Sequence, residues 1–138
     1  MAMLPLSTNE EGECVAFPDV CDTPAGDEVV PVAYPNSALL EQADMTTVST
    51  TVFIVGKNAV TENTEIAMSS GDEAGLAGGV VSGTTGGACR FRLGSAVVMI
   101  EGYAAAFCGT RIEQNGDHTN APLGVQVVPS QGKVFVVP

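Results

Sequence analysis

Ile54-Val55-Gly56-Lys57-Asn58-Ala59, with Thr64-Glu65-Ile66 behind it, returns 46 residues later as Ile100-Glu101-Gly102-Tyr103-Ala104-Ala105, with Thr110-Arg111-Ile112 behind it. Gly71-Asp72 and Gly116-Asp117 follow at almost the same distance. Each copy sets a glycine turn between apolar residues, the pattern of a β-hairpin. Thr46–Val55 is rich in Thr and Val, which favours a strand. Gly56-Lys57 then serves as the turn into a second strand near Asn58–Thr61. The later copy repeats the plan, with a strand over Ala96–Glu101, a turn at Gly102 and a strand over Tyr103–Phe107. Two readings are open: coincidence between two glycine-turned hairpins, or a repeated supersecondary unit with pseudo-rotational symmetry. Under the second, the closing Val125–Val137 hairpin is a candidate third, shorter copy.

The rest of the chain supports a mainly β fold. Among 138 residues there are 16 Gly and 8 Pro, and the charged fraction is 15%, below the usual quarter. Such a composition suits short strands joined by tight turns, in one domain. Pro18, Pro24, Pro31 and Pro35 exclude a helix between Phe17 and Asn36. Val29, Val30 and Val32 allow a short strand there. Asn36–Asp44 is expected to form one or two helical turns, with Asn36 or Ser37 as N-cap. Ser69–Gly75 reads as a second capped turn, with Asp72 and Glu73 placed for the helix dipole. Cys89–Leu93, Val125–Val128 and Lys133–Val137 read as strands, and Gln114–Asn120 as a loop. Residues 1–13 are polar and acidic and read as a loose, flexible arm, leaving 14–138 as the folded unit.

The formal net charge is −11, from 16 acidic against five scattered basic residues. That balance repels phosphate backbones and anionic lipid, so neither nucleic acid nor stable membrane association is expected. No apolar run is long enough to span a bilayer. Met1–Leu6 lacks the basic start and apolar core of a signal peptide, so a cytoplasmic origin is expected. Cys14, Cys21, Cys89 and Cys108 are then most simply thiols.

No catalytic constellation emerges, and the chain is read as non-enzymatic. Neither a nucleophile elbow nor a phosphate loop is present. A serine-type triad would have to use His118 beside Asp117 with no identifiable nucleophile. A thiolate pair would use Cys108 and His118, in a chain whose acidity opposes thiolate formation. A structural zinc is the stronger alternative to simple buried thiols. Its candidate ligands are Cys21, Cys89, Cys108 and His118, although no Cys-x2-Cys spacing supports them.

Five ordered blocks carry a family resemblance. They are Ala16-Phe17-Pro18-Asp19-Val20-Cys21-Asp22-Thr23-Pro24; Val30-Pro31-Val32-Ala33-Tyr34-Pro35-Asn36; Ser69–Gly75 with Gly78–Ser82; Cys89–Phe91 with Gly94-Ser95 and Val98–Gly102; and Asn120-Ala121-Pro122 with Val128-Pro129-Ser130-Gln131 and Lys133-Val134. Together they resemble the PAAR-like proteins of type VI secretion, relatives of the proline-alanine-alanine-arginine repeat spike tips. Ala33 departs from the family's usual proline. The resemblance implies a small cone of short strands with pseudo-threefold organisation. It implies a non-catalytic tip seated on the trimeric valine-glycine repeat spike protein, one tip per trimer, exported through the secretion machine and able to carry an effector. An adaptor linking an effector to the spike is the alternative. The related repeat class holds zinc with three His and one Cys. This chain has one His, so that site does not transfer intact.

Overall fold

A computed structural model describes residues 2–138; Met1, included in the expected arm, lies outside them. The chain is nearly all strand: β1 (Leu4–Pro5), β2 (Glu13–Ala25), β3 (Glu28–Leu39), β4 (Phe53–Ile54), β5 (Lys57–Asn58), β6 (Glu65–Ile66), β7 (Gly78–Gly79), β8 (Cys89–Leu93), β9 (Met99–Ile100), β10 (Tyr103–Ala104), β11 (Arg111–Gln114), β12 (Ala121–Val128) and β13 (Phe135–Val136). One 3-10 turn, Leu40–Gln42, is the only helical element among the described residues, and none is long and apolar enough to cross a membrane.

The repeat is real and its geometry is duplicated. β4 pairs β5 through Phe53↔Asn58 and Ile54↔Lys57, and β9 pairs β10 through Met99↔Ala104 and Ile100↔Tyr103. The turn residues Val55 (φ 51) and Gly56 (φ 76) match Glu101 (φ 54) and Gly102 (φ 85). Positive φ at both central positions is the turn whose twist suits a hairpin. The turn therefore falls one residue earlier than Gly56-Lys57, and the strands are shorter than expected.

The third copy lies elsewhere than expected. β1 pairs β13 through Leu4↔Val136 and Pro5↔Phe135, the same register as the two hairpins. Two chain segments more than a hundred residues apart thus build the third hairpin, and the Val125–Val128 strand belongs to the main sheet instead. The expectation of a loose arm fails for residues 4–8: Leu6, Ser7 and Thr8 are buried, because they supply the inner strand of this third unit.

Three backbone hydrogen bonds close a ring between the units. Ser7 N–H donates to Ala106 O (2.9 Å), Ala106 N–H to Val60 O (3.0 Å), and Val60 N–H to Ser7 O (3.0 Å). A second ring-like set repeats the arrangement: Asn9 N–H to Asn58 O, Glu62 N–H to Ala104 O, and Cys108 N–H to Pro5 O. The residues of each set occupy equivalent positions of the three units, so the pseudo-threefold axis runs between Ser7, Val60 and Ala106. Leu6, Ala59 and Ala105 pack around it with Val136, Ile54 and Ile100, forming an apolar core separate from the larger one.

The main sheet runs β3-β2-β12-β11-β8-β6, with β7 on β2. Its core contains Cys14, Leu40, Ile66, Cys89, Phe91 and Ile112. The proline-rich region forms two long strands, not one short segment. β3 is an edge, where missing N–H groups cost no ladder bond. Pro18 falls in the break of register between Ala16 and Asp19. The expected helical turns at Asn36–Asp44 reduce to the single 3-10 turn, because β3 keeps pairing β2 as far as Leu39. No helix forms at Ser69–Gly75. Gly75 N–H bonds Asp72 O and Gly78 N–H bonds Gly75 O, isolated turns in which Asp72 is turned inward.

Ile54 and Ile100 occupy equivalent sites with equal exposure, 6% each. Ile54→Ala and Ile100→Ala should each cost about 2–5 kcal/mol by urea denaturation, with values close to one another. A large cost for one and none for the other would contradict the equivalence.

Candidate functional site

Where the signature blocks converge, the protein buries a cluster of polar side chains. β2 supplies Asp19 and Cys21, the segment between β6 and β7 supplies Asp72, and the loop between β11 and β12 supplies Asn115 and Asn120. Asp19, Cys21, Asp72 and Asn115 are fully buried. A buried polar group must find partners or lose several kcal/mol. Here each finds them in the others.

The two amides are fixed by their oxygens. Asn115 Oδ1 accepts from Gly87 N–H (2.8 Å) and Thr84 Oγ1 (3.0 Å); Asn120 Oδ1 accepts from Val81 N–H (2.8 Å) and Ser82 N–H (3.3 Å). Both Nδ2 groups then point at Asp19 Oδ1, from 3.1 Å for Asn115 and 2.5 Å for Asn120. Gly86 N–H reaches both oxygens of Asp72, at 3.0 and 3.1 Å. The Cys21 thiol lies 3.6 Å from Asp19 Oδ1 and 3.9 Å from Asp72 Oδ2. Gly75 makes room for it: a Cβ there would lie 2.3 Å from Cys21 Cβ.

The electrostatics follow from this crowding. Burial, with the charges of Asp19 and Asp72 beside it, pushes the Cys21 thiol up to about 12. Burial and the hydrogen bond to Asp19 push Asp72 up to about 6. Two carboxyls in contact share a proton more readily than they carry two charges. A proton on Asp72 supplies the donor that Asp19 Oδ2 otherwise lacks.

Among the described residues, Asp19, Cys21 and Asp72 are the one group of three or more potential metal ligands whose ligating atoms come within 4.8 Å of one another. Of the four ligands expected from sequence, only Cys21 belongs to it. Cys14 and Cys89 lie in the main core, and Cys89 belongs to no such group of ligands among the described residues. Cys108 is half-buried against Gln126 O at 3.7 Å, and its thiol is pushed up by burial. His118 is exposed on the β11–β12 loop. The cluster offers three ligands where tetrahedral zinc takes four. Two locked amide N–H groups already occupy Asp19, and Cys21 and Asp72 would both have to release protons. The three groups could hold a metal ion, but the raised pKa values of Cys21 and Asp72 favour the shared proton over zinc.

Asp19, Asp72, Asn115 and Asn120 were missed as a group because they lie up to 101 residues apart. The available signal was their position beside Gly and Pro in the quoted blocks, where a polar side chain can be turned inward.

Two measurements test this account. Asp72 has a raised folded-state pKa, so its contribution is full below its ordinary value of 3.8 and is lost as pH rises through about 6. Wild-type protein should lose stability relative to Asp72→Asn between pH 4 and pH 7 in urea titrations, about 1–3 kcal/mol across the window; parallel curves would refute the shared proton. Elemental analysis of purified protein should give zinc far below one equivalent. A full equivalent that disappears in Cys21→Ala would reverse the conclusion.

A family model described as the toxin PAAR-like domain matches residues 12–122. No curated protein and no solved structure matches the chain. The matched span contains all five residues of the buried cluster and the first two hairpins. The polar hub and the repeated hairpins are thus features of a chain that belongs to the toxin PAAR-like domain family.

Proposed function

We propose that the protein is a non-catalytic tip that seats its three hairpins on the end of a trimeric spike of the type VI secretion machine. The carrying observation is the threefold ring through Ser7, Val60 and Ala106. A single chain with three quasi-equivalent sides can meet three identical chains with one set of contacts repeated. The family to which the chain belongs supports a spike-associated, toxin-related role.

The hairpins carry apolar side chains suited to such a contact. Phe53, Met99 and Phe135 occupy equivalent outward positions and are 57%, 59% and 44% exposed. Exposed aromatic and Met side chains are the usual anchors of protein interfaces. On this reading the partner is the trimeric valine-glycine repeat spike protein, one tip to three spike chains. The tip leaves the cytoplasm through the machine. Effectors ride on surfaces away from the hairpins.

Co-purification with the spike trimer, with stoichiometry measured by mass, tests the reading. One tip per trimer is expected. Phe53→Asp or Phe135→Asp should weaken binding by about 2 kcal/mol, roughly thirtyfold, while leaving the isolated protein folded. Unchanged binding in both, or capture of a toxin without the spike, would favour an adaptor instead.

A further inference from the structure

The three clefts between neighbouring hairpins are built alike but filled differently. In the first, the Glu101 side chain reaches from its turn to residues 49–51. Glu101 Oε2 accepts from Thr50 N–H (3.0 Å), Thr51 N–H (3.0 Å), Ser49 Oγ (2.6 Å) and Thr51 Oγ1 (2.6 Å). These donors hold the carboxyl well below its ordinary range, at about 2. The cleft is therefore a carboxylate receptor that the chain satisfies with its own residue.

The equivalent cleft one step around the axis has no such filler. Val55 stands where Glu101 stands, and Gln131-Gly132-Lys133 stands where Ser49-Thr50-Thr51 stands. The main-chain correspondence holds, whereas the two hydroxyl donors are absent: Gln131 Nε2 donates to Leu6 O and Val134 O (2.8 Å each), and Lys133 replaces Thr51. Gln131 Oε1 accepts from Lys133 N–H (2.7 Å) and Val134 N–H (2.9 Å), as Ser49 Oγ accepts from Thr51 N–H and Val52 N–H. Gly132 N–H matches the Thr50 N–H that binds Glu101, and it makes no hydrogen bond within the described residues. With valine in place of glutamate the cleft stays open as a cavity of about 220 Å³, lined by Thr8, Glu10, Ile54, Val55, Lys57 and Gln131. Lys57 puts a cation at its wall. Its pairing with Glu10 at 2.8 Å is between two half-exposed side chains, weak enough for Lys57 to turn to a new anion.

We infer that this open cleft binds the carboxylate of an aspartate or glutamate side chain from the docked partner, in the manner in which its twin binds Glu101. The partner's identity rests on the spike-docking reading, whereas the chemistry of the cleft does not.

The isolated chain allows the test without a spike. N-acetylglutamate amide, titrated into 15N-labelled protein at constant ionic strength, should shift the Gly132 and Gln131 amide resonances saturably. The corresponding glutamine derivative should not. Val55→Glu should fill the cleft from within, abolish those shifts and raise the thermal midpoint. Gly132→Pro, which deletes the donor and meets open space at its Cβ, should abolish the Gln131 shift without that gain. No shift at Gly132, or equal shifts from the glutamine derivative, would overturn the inference. Shifts that persist in both variants would mean an adventitious ion only. A spike that binds wild type and Val55→Glu equally would sink the partner assignment and leave the cleft chemistry standing.

Discussion

The closed ring of three main-chain hydrogen bonds between Ser7, Val60 and Ala106 is the constraint from which the rest of this molecule follows. Each member both donates to one neighbour and accepts from the other, so removing any unit leaves the remaining two with an unpaired N–H and an unpaired C=O in a dry interior. The ring fixes the hairpins at a common level and turns the same face of each outward. Small residues permit it: Ala59, Ala105 and Ala106 are essentially without exposure, and longer side chains there would hold the three strands apart. The axis is therefore a backbone feature, tolerant of change in what the hairpins display.

The polar hub does a different job for the main sheet. It ties β2 to two long loops that have little regular structure of their own, 67–88 and 115–120. Asp19 is its centre, accepting from both asparagines while Asn120 also reaches Val20 O. Such a hub stabilises only when every member is satisfied, since a half-made network in a low-dielectric interior is worse than an apolar one. Its members hold side chains, loops and strand β7 in one arrangement.

The hairpin pair at 54–59 and 100–105 was legible because both copies are local and carry the same glycine. The third was not, since residues 4–5 and 135–136 have no glycine turn between them and each segment alone reads as an undistinguished tail. Asn36, Ser69 and Asp72 misled for a common reason. Their side chains suit helix caps, and the fold spends them on tertiary partners: Asn36 Nδ2 on Ser69 Oγ, Ser69 Oγ on Gly87 O, and Asp72 on Gly86 N–H. Local propensity is a weak prior where burial offers a better bond. The cysteines were legible as thiols and not as ligands. Their burial says why: Cys14 and Cys89 serve as small apolar side chains between sheet and core.

Two of the three hairpins are covalently closed by their turns, and the third, β1 with β13, is a seam. Its strands enter and leave on the same side, at Leu4 and Val136, so tension applied through those two residues separates one pair and then the next, as a zip opens. Compression along the pseudo-threefold axis strains no such weak point. A body of this design resists a push along the axis better than a pull at Leu4 and Val136.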